Sequence, residues 1–313
     1  MSGTEREHGA RERLVIYQLL PRLFTNRRAP ARVGGTFAEN GCGTFADLDD
    51  RVLRALADLG VNALWLTGVL EHATRTEFPG LPADDPDIVK GAAGSPYAVR
   101  DLFDVAADLA TDPAQRLAEF RALVARCHAR GLRVLLDCVP NHVARSHRSD
   151  VRPEHDLGAG DDRAVFFARD NHFYYLGPEH PGGGPPLRLP DTTSPGCDGR
   201  FEGERDFGRV TGNNAATWAP SPGDWYETVK LNFGHDYTRG RDTSHLPGPD
   251  SGEAAVPRTW RTLDASLAHW QALGVDGFRV DMAHLVPLEF WRRVCSSAPR
   301  PTTTTPRSSA TAT

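Results

Sequence analysis

Arg279 and Asp281 are the residues best suited to chemistry, and they stand two apart in the segment Gly-Phe-Arg-Val-Asp at 277–281. Residues two apart on a β-strand point to the same face. A guanidinium beside a carboxylate keeps the carboxylate ionised, and an ionised carboxylate can serve as a nucleophile. The segment therefore predicts a buried strand that delivers a nucleophilic aspartate to its C-terminal end. A structural ion pair is the other interpretation of this Arg-x-Asp pattern.

A second apolar stretch also ends in a polar cluster. Residues 135–142 have the sequence Leu-Leu-Asp-Cys-Val-Pro-Asn-His, so Asp137, Asn141 and His142 lie at or just after a predicted strand. Asp137 and His142 alone would also be compatible with a metal-dependent hydrolase. That interpretation is disfavoured because no second cluster of His and carboxylate residues with metal-ligand spacing accompanies them.

Three segments share one layout of amphipathic helix, glycine and apolar strand. Apolar residues recur every three or four positions in each predicted helix. A glycine just past a helix is typical of a left-handed stop. With a first strand at 14–20, the alternation of strands and helices predicts a parallel sheet of four strands. The predicted helices and strands are 45–59 then 61–66, 112–130 then 132–137, and 259–273 then 275–281, separated by Gly60, Gly131 and Gly274.

The stretch between the third strand and the third helix is too long for a simple connection. Residues 143–257 are rich in glycine, proline, aspartate and aromatic residues. Disordered linkers contain few aromatic residues, so an irregular inserted subdomain is predicted here. The predicted organisation is a polar tail at 1–13, a barrel portion at 14–142 and 258–294, the inserted subdomain at 143–257, and a tail at 295–313.

The tail at 295–313 differs from the rest of the chain. It contains four consecutive threonines at 302–305, followed by proline, serine and alternating alanine and threonine. One interpretation is a Ser/Thr/Pro linker. The other is an acidic helix whose gene is translated in a shifted frame from about residue 295, because periodicity of apolar residues ends abruptly at Val294.

Composition limits the functional classes. The chain has 313 residues, with 39% hydrophobic and 25% charged residues and a net charge of −5, which is typical of a globular protein. The charge and the lack of a basic run argue against nucleic-acid binding. No stretch predicts a membrane span, and the start lacks the layout of a signal peptide. Five cysteines without metal-type spacing predict reduced thiols in a cytoplasmic protein.

Several motifs, taken in order, resemble the α-amylase family of glycoside hydrolases. The segments at 137–142 and 277–281 resemble two signature regions of that family. The segment at 95–101 resembles the loop after strand two, and 231–233 resembles the segment leading out of the family's inserted domain. The resemblance implies an α/β protein with a (β/α)8 TIM barrel of α-amylase type. This chain would hold its first half, truncated after about the fourth strand, with the irregular subdomain inserted after strand 3.

The resemblance also implies roles for residues at the strand ends. Asp281 would be the nucleophile of a retaining glycosidase, with Arg279 holding it ionised and oriented. Asp137 would brace the site by pairing with Arg279. The family's general acid, a glutamate at the end of strand five, has no counterpart here, and Glu289 lies too soon after Asp281 to replace it.

Further residues are implied to contact the substrate or an ion. Tyr97 and His142 would contact the sugar, since tyrosine presents a flat apolar face and histidine can donate hydrogen bonds to hydroxyls. His284 would line the leaving-group side. Asn141 resembles a calcium ligand of many amylases, and capping of a turn is the alternative for it. Calcium is thus the one candidate cofactor.

The resulting expectation is an α-amylase-type retaining glycoside hydrolase or transglycosylase. Its partners would be α-glucans or maltooligosaccharides, with no nucleic acid and no membrane. Without the acid, this chain is expected to be an inactive fragment. A non-catalytic carbohydrate-binding or vestigial product is the alternative.

Overall fold

A computed structural model of the chain describes residues 13–297. The strands are β1 (Ile16–Leu19), β2 (Ala63–Leu66), β3 (Arg133–Cys138), β4 (His142–Ala144), β5 (Thr228–Lys230) and β6 (Gly277–Val280). The helices are α1 (Pro21–Phe24), α2 (Phe37–Asn40), α3 (Asp50–Asp58), α4 (Arg116–Ala129), α5 (Arg258–Ala272) and α6 (Leu288–Ser297). Short 3-10 helices lie in the connections, at Pro86–Ile88, Ala107–Leu109, Pro113–Gln115, Pro153–His155, Glu202–Glu204, Tyr237–Arg239, Glu253–Ala255 and Ala283–Leu285. The predicted tails at 1–13 and 295–313 lie almost entirely outside the described residues.

The main sheet has four parallel strands in the order β1-β2-β3-β6. These are the four strands that the sequence predicts, and a parallel sheet with helical crossovers agrees with part of a barrel. The register places Trp65 of β2 opposite Leu135 of β3, and Asp137 of β3 opposite Arg279 of β6. Polar residues from two strands therefore meet at the C-terminal edge of the sheet.

Two of the three predicted helices are confirmed with small changes at their ends. The second begins as a 3-10 turn at Pro113–Gln115 and continues as α4, and the third is α5. Each predicted glycine stop has a positive φ, at 83° for Gly60, 71° for Gly131 and 97° for Gly274. These are backbone angles that residues with a Cβ rarely adopt, which explains glycine at the three helix ends.

The first predicted helix starts later than expected. Phe45 and Leu48 are fully buried but precede α3, which begins at Asp50 because the Asp49 side chain accepts a hydrogen bond from the Val52 amide. Leu59, expected on the apolar face, is 74% exposed and caps the helix end. The apolar spacing over 45–59 covers a buried loop before Asp49 and a helix after it. The prediction of one continuous helix was therefore wrong.

One face of the sheet packs against the helices. Alternate residues of β2 and β3 are fully buried in a core that includes Phe120 of α4 and Trp270 of α5. The rings of Phe120 and Trp270 meet edge to face, with centroids 5.7 Å apart. The buried strand residues on this face are Leu64, Leu66, Val134 and Leu136.

The opposite face of the sheet carries the polar residues. Trp65 and Leu135 are half-buried there, and Ile16 of β1 is 49% exposed. Within residues 13–297, β1 and β6 each pair with a single neighbouring strand. A sheet with two unpaired edges and a partly exposed second face agrees with part of a barrel rather than a closed one.

The long segment after β3 is ordered and irregular. It starts in β4, returns to that strand at β5 and then continues to α5. β4 and β5 are antiparallel, and His142 lies opposite Lys230. A buried ion cluster holds its middle, where the Glu204 carboxylate accepts hydrogen bonds from Arg145 and Arg209. The division of the chain into a barrel portion and a separate subdomain at 143–257 remains a prediction. No helix among the described residues is long and apolar enough to cross a bilayer.

Candidate active site

The centre of the candidate site is the contact of Arg279 with two carboxylates. Its Nη1 atom lies 2.8 Å from Asp281 Oδ1 and 3.5 Å from Asp137 Oδ1. The cross-strand register of β3 and β6 creates the second contact, and the two-residue spacing within one strand creates the first. Burial opposes the charge of Arg279, but the hydrogen bond and charge of Asp281 outweigh it and raise the pKa of the guanidinium. Arg279 therefore stays cationic between the two carboxylates.

Asp281 sits just past the last residue of β6. Its amide donates to the Cys138 carbonyl at 2.8 Å, which continues the sheet pairing by one residue. The chain turns immediately afterwards, since Met282 has a φ of 50° in the left-handed region. A non-glycine residue in that region is uncommon and marks a tight local constraint. The turn leaves the Asp281 side chain at the strand end, with 14% of its surface exposed.

Asp137 is the more deeply buried carboxylate of the pair, with 6% of its surface exposed. The indole Nε1 of Trp65 donates a hydrogen bond to Asp137 Oδ1 at 3.0 Å. Burial raises the pKa of Asp137 to about 6, and the Trp65 hydrogen bond and the charge of Arg279 act in the opposite direction. Both donors use the same oxygen, so this carboxylate braces Arg279 and Trp65.

Two aromatic rings flank the Arg279 guanidinium. Its Cζ atom lies 5.1 Å from the ring centroid of Trp65 and 5.8 Å from that of Tyr97. Such distances allow cation–π attraction, which fixes the direction of the guanidinium further. Tyr97 is half-buried, so part of its ring remains accessible beside the carboxylates. Contact of Tyr97 with a sugar remains a prediction.

His142 lies beneath the site. It is 2% exposed, and burial together with the nearby charge of Lys230 lowers its pKa to about 4, while a hydrogen bond with the Tyr97 backbone acts in the opposite direction. Its ring packs against Trp225, with centroids 5.2 Å apart. The imidazole is therefore neutral at neutral pH and connects the Tyr97 loop to the segment after β3.

Comparisons with known proteins identify the family of this chain. The family model for the alpha amylase catalytic domain matches residues 18–177, roughly half of the chain. The chain belongs to the α-amylase family. A parallel sheet with polar residues at its C-terminal edge is what the TIM barrel of that family requires.

Individual relatives are similar over most of this chain. It is 25% identical over 281 residues to the alpha-amylase MalA of Haloarcula japonica, covering 90% of this chain and 26% of that protein. It is 28% identical over 282 residues to the periplasmic alpha-amylase of Escherichia coli, covering 82% of this chain and 38% of that protein. A solved alpha-amylase from Lactobacillus plantarum is 23% identical, with a TM-score of 0.45 over 90% of this chain and 42% of that one. The chain thus spans less than half the length of these relatives.

His284 follows Asp281 by three residues, beyond the turn at Met282. It lies in the 3-10 turn Ala283–Leu285 and its side chain is exposed. Within residues 13–297, no hydrogen bond or ring contact joins it to Arg279 or Asp281. A position on the leaving-group side therefore remains a prediction for His284.

Calcium does not fit at Asn141. The amide oxygen Oδ1, the atom that would bind a hard cation, accepts a hydrogen bond from Lys230 Nζ at 3.1 Å. The amide nitrogen donates to the Gly212 carbonyl at 2.8 Å. Calcium takes about six to eight oxygen ligands, usually with carboxylates among them. A fixed ammonium where the ion would have to sit excludes that arrangement.

The described residues contain one acidic group with metal-ligand spacing, and it lies elsewhere. Glu71, Asp101 and Asp104 are buried with carboxylate oxygens within 4.8 Å of one another. Arg100 forms an ion pair with Glu71, and Arg116 forms one with Asp104. This cluster supports the loops that follow β2 and contains no residue of the candidate active site.

Three residues of the site were missed by the sequence analysis: Trp65, Trp225 and Lys230. Trp65 lies between two leucines in an apolar strand, and its bond to Asp137 depends on register rather than composition. Trp225 lies in the aromatic stretch before β5, where nothing local indicates His142 as its partner. Lys230 did carry a signal, because Lys90 and Lys230 are the only lysines among the 36 lysine and arginine residues of the chain.

Proposed function

We propose that this chain carries the nucleophile side of an α-amylase-type retaining glycosidase site that acts on α-glucans or maltooligosaccharides. The observation that carries the proposal is Arg279 held between Asp281 and Asp137 at the C-terminal edge of a parallel sheet. Active sites of TIM barrels lie at that edge. Names of relatives such as alpha-amylase and alpha-glucosidase support α-glucosidic substrates.

Asp281 is the attacking group in this proposal. One of its carboxylate oxygens forms a bond with the anomeric carbon while the glycosidic carbon–oxygen bond breaks. The bonding electrons leave with the glycosidic oxygen, which takes a proton from a general acid. Water then attacks the anomeric carbon of the glycosyl-enzyme and gives a proton back to the general acid, and the Asp281 carboxylate is released. If a sugar hydroxyl attacks instead, the outcome is transfer rather than hydrolysis.

Arg279 and Asp137 prepare this nucleophile without reacting. The Arg279 guanidinium donates to Asp281 Oδ1 at 2.8 Å, so the other carboxylate oxygen is the one left for attack. Asp137 fixes the other side of Arg279, and Trp65 fixes Asp137. A preorganised carboxylate needs no reorganisation as charge develops at the anomeric carbon. Tyr97 supplies an apolar ring face for the sugar at the rim.

In this proposal neither Asp137 nor Glu289 is the proton donor. Asp137 accepts hydrogen bonds from Trp65 and Arg279, and Glu289 of α6 accepts one from Thr243 at 2.7 Å. General acid catalysis contributes about 10²–10⁴-fold in rate. We therefore propose that this chain alone turns over α-glucans poorly although its nucleophile is intact. Non-catalytic carbohydrate binding is the second candidate, and the accessible ring of Tyr97 favours it as an accompanying property.

A substrate whose leaving group needs no proton separates the two candidates. α-Glucosyl fluoride releases fluoride ion without general acid help, so a chain with an intact nucleophile should hydrolyse it faster than a maltooligosaccharide. Fluoride and reducing-sugar release are measured for wild type, Asp281→Asn and the control Asp170→Asn, whose side chain is 57% exposed in a surface ion pair.

The proposal expects fluoride release by wild type and the Asp170→Asn control, and none by Asp281→Asn. Equal fluoride release by wild type and Asp281→Asn would overturn the assignment of the nucleophile. Rapid turnover of the maltooligosaccharide by wild type would show that another group of this chain supplies the proton.

A further inference from the structure

Lys230 is a buried cation at the joint between the barrel strands and the segment that follows β3. Its residue is 5% exposed and its Nζ atom lies 3.1 Å from Asn141 Oδ1. The Tyr237 ring lies below the ammonium, 5.4 Å from centroid to Nζ. β5 carries Lys230 directly opposite His142 of β4. The Lys230 ammonium thus contacts Asn141, which lies just after β3, and Tyr237, which lies after β5.

This ammonium has no acidic partner among the described residues. Burial lowers the pKa of Lys230 to about 8, and no carboxylate within residues 13–297 forms an ion pair with it. The nearby ion cluster differs, because there Glu204 neutralises Arg145 and Arg209. An uncompensated buried charge is costly, which is why burial lowers this pKa. The amide oxygen of Asn141 and the aromatic face of Tyr237 offset part of that cost.

The residue type supports the same interpretation. The chain uses lysine at two positions and arginine at all its other strongly basic positions. Arginine is a planar fork suited to paired oxygens, whereas lysine carries a compact point charge on a flexible stem. Like a bound metal ion, the lysine ammonium places a compact positive charge against a single amide oxygen.

We propose that the Lys230 ammonium takes the place of a divalent cation at Asn141, so that this chain attaches the segment 143–230 to the barrel strands without calcium. The inserted segment is then secured by a cation that the chain itself carries. Folding and site geometry should be independent of calcium and of chelators. The proposal concerns folding rather than turnover, so its failure is distinguishable from failure of the glycosidase assignment.

The first test compares the effect of calcium on thermal unfolding of wild type and Asn141→Leu. A cation bound at about a hundredfold excess over its dissociation constant would raise the melting temperature by about 5 °C. The measured quantity is the difference between the melting temperatures in excess calcium and in excess chelator. The proposal predicts that this difference in wild type, minus the same difference in Asn141→Leu, is within about 1 °C of zero. A larger calcium shift that requires Asn141 would overturn the proposal. The subtraction removes calcium binding at other places, including the Glu71 cluster.

The second test removes the ammonium. Lys230→Met keeps an unbranched apolar side chain that is one atom shorter and uncharged, so it leaves Asn141 Oδ1 buried without a donor. The melting temperature should fall by about 2–6 °C in calcium and in chelator alike. Lys90→Met is the comparison, because Lys90 is partly exposed and pairs with the buried Glu227 carboxylate at 2.9 Å, so its loss reports the cost of an unpaired carboxylate rather than of an unpaired amide oxygen. If Lys230→Met melts at the wild-type temperature, the ammonium does not fasten the segment and the proposal fails.

A labelling measurement on the wild-type chain covers the case in which Lys230→Met does not fold. An amine-reactive acetylating reagent should modify Lys90 readily and leave Lys230 unmodified under native conditions, as read by peptide mass spectrometry. Unfolding in denaturant should make the two lysines equally reactive. Equal reactivity in the native chain would contradict a buried ammonium and overturn the proposal.

Discussion

The guanidinium of Arg279 donates to the carboxylate of Asp281 at 2.8 Å, from the strand that also delivers that carboxylate. Both partners therefore move together if the strand shifts, and the ion pair does not depend on a distant loop. Only the third member, Asp137, comes from another strand. The contact of Arg279 with Asp281 thus depends on one strand only, whereas the contact of Arg279 with Asp137 depends on the register of β3 against β6.

Replacing Arg279 should reduce the reactivity of Asp281 more than the stability of the fold. Arg279→Gln removes the positive charge and should lower kcat/KM for α-glucosyl fluoride by about 10²-fold, which is the scale of one preorganised electrostatic contact. Arg279→Lys should retain part of the rate because it keeps the charge but loses the planar fork. The rates are read from initial fluoride release. Similar losses for both variants would show that geometry rather than charge is what Arg279 supplies.

Trp65→Phe should destabilise the chain and loosen Asp137. The change removes one hydrogen bond to a buried carboxylate, which costs about 1–3 kcal/mol in the free energy of unfolding. Chemical denaturation measures this loss. Trp291→Phe is the matched control, since its half-buried indole also donates one hydrogen bond, but to an uncharged acceptor, the Ala283 carbonyl, at 3.3 Å. Equal losses of unfolding free energy in the two variants would show that the hydrogen bond from Trp65 to Asp137 is no more important than an ordinary indole hydrogen bond.

Tyr97 should contribute to sugar binding through its ring face rather than its hydroxyl. Tyr97→Phe keeps the ring and should leave KM for α-glucosyl fluoride within about twofold, whereas Tyr97→Ala should raise KM about tenfold, equivalent to about 1.4 kcal/mol. The value of kcat should change less than KM in both. An increase in KM for Tyr97→Phe as large as that for Tyr97→Ala would indicate that the hydroxyl is the group that binds.

The buried carboxyl group of Glu71 should make stability depend on pH. Burial raises its pKa to about 7, against 4.5 for the free side chain. Between these values the folded chain binds more protons than the unfolded chain, so this contribution is complete below pH 4.5 and is lost as pH rises through about 7. The expected loss is about 3 kcal/mol. Asp101, whose pKa burial raises to about 6, acts in the same direction.

Glu71→Gln tests this pH dependence directly. The variant cannot titrate at this position, so its free energy of unfolding should decline less than that of wild type between pH 4.5 and pH 7. Urea denaturation at a series of pH values measures both slopes. Parallel pH profiles for the two proteins would show that Glu71 is ionised across this range in the folded chain.

Much of the fold was accessible from the sequence because its signals are local. Gly131 and Gly274 marked the helix ends, and the apolar runs before Asp137 and Asp281 marked two of the four strands. The first helix failed because Phe45 and Leu48 follow helical spacing while lying in a buried loop. Spacing reports which residues are buried, and it does not report the backbone conformation that buries them.

The site was accessible in part for the same reason. Arg279 and Asp281 form a local pair, so the spacing in one strand indicated their contact. The Trp65 contact with Asp137 spans 72 residues and the Lys230 contact with Asn141 spans 89. Such contacts follow from sheet register and from the return path of the long segment after β3. Neither feature has a signature in the sequence around the two partners.

Direct detection of the glycosyl-enzyme tests the central claim most sharply. The chain is incubated with a fluorinated α-glucosyl fluoride whose intermediate hydrolyses slowly, then quenched in acid and digested for peptide mass spectrometry. The account predicts one fluoroglucosyl group on the peptide that contains Asp281, absent when Asp281→Asn is treated in the same way. A label on another carboxylate, or an equal label in Asp281→Asn, would contradict the assignment of Asp281 as the nucleophile.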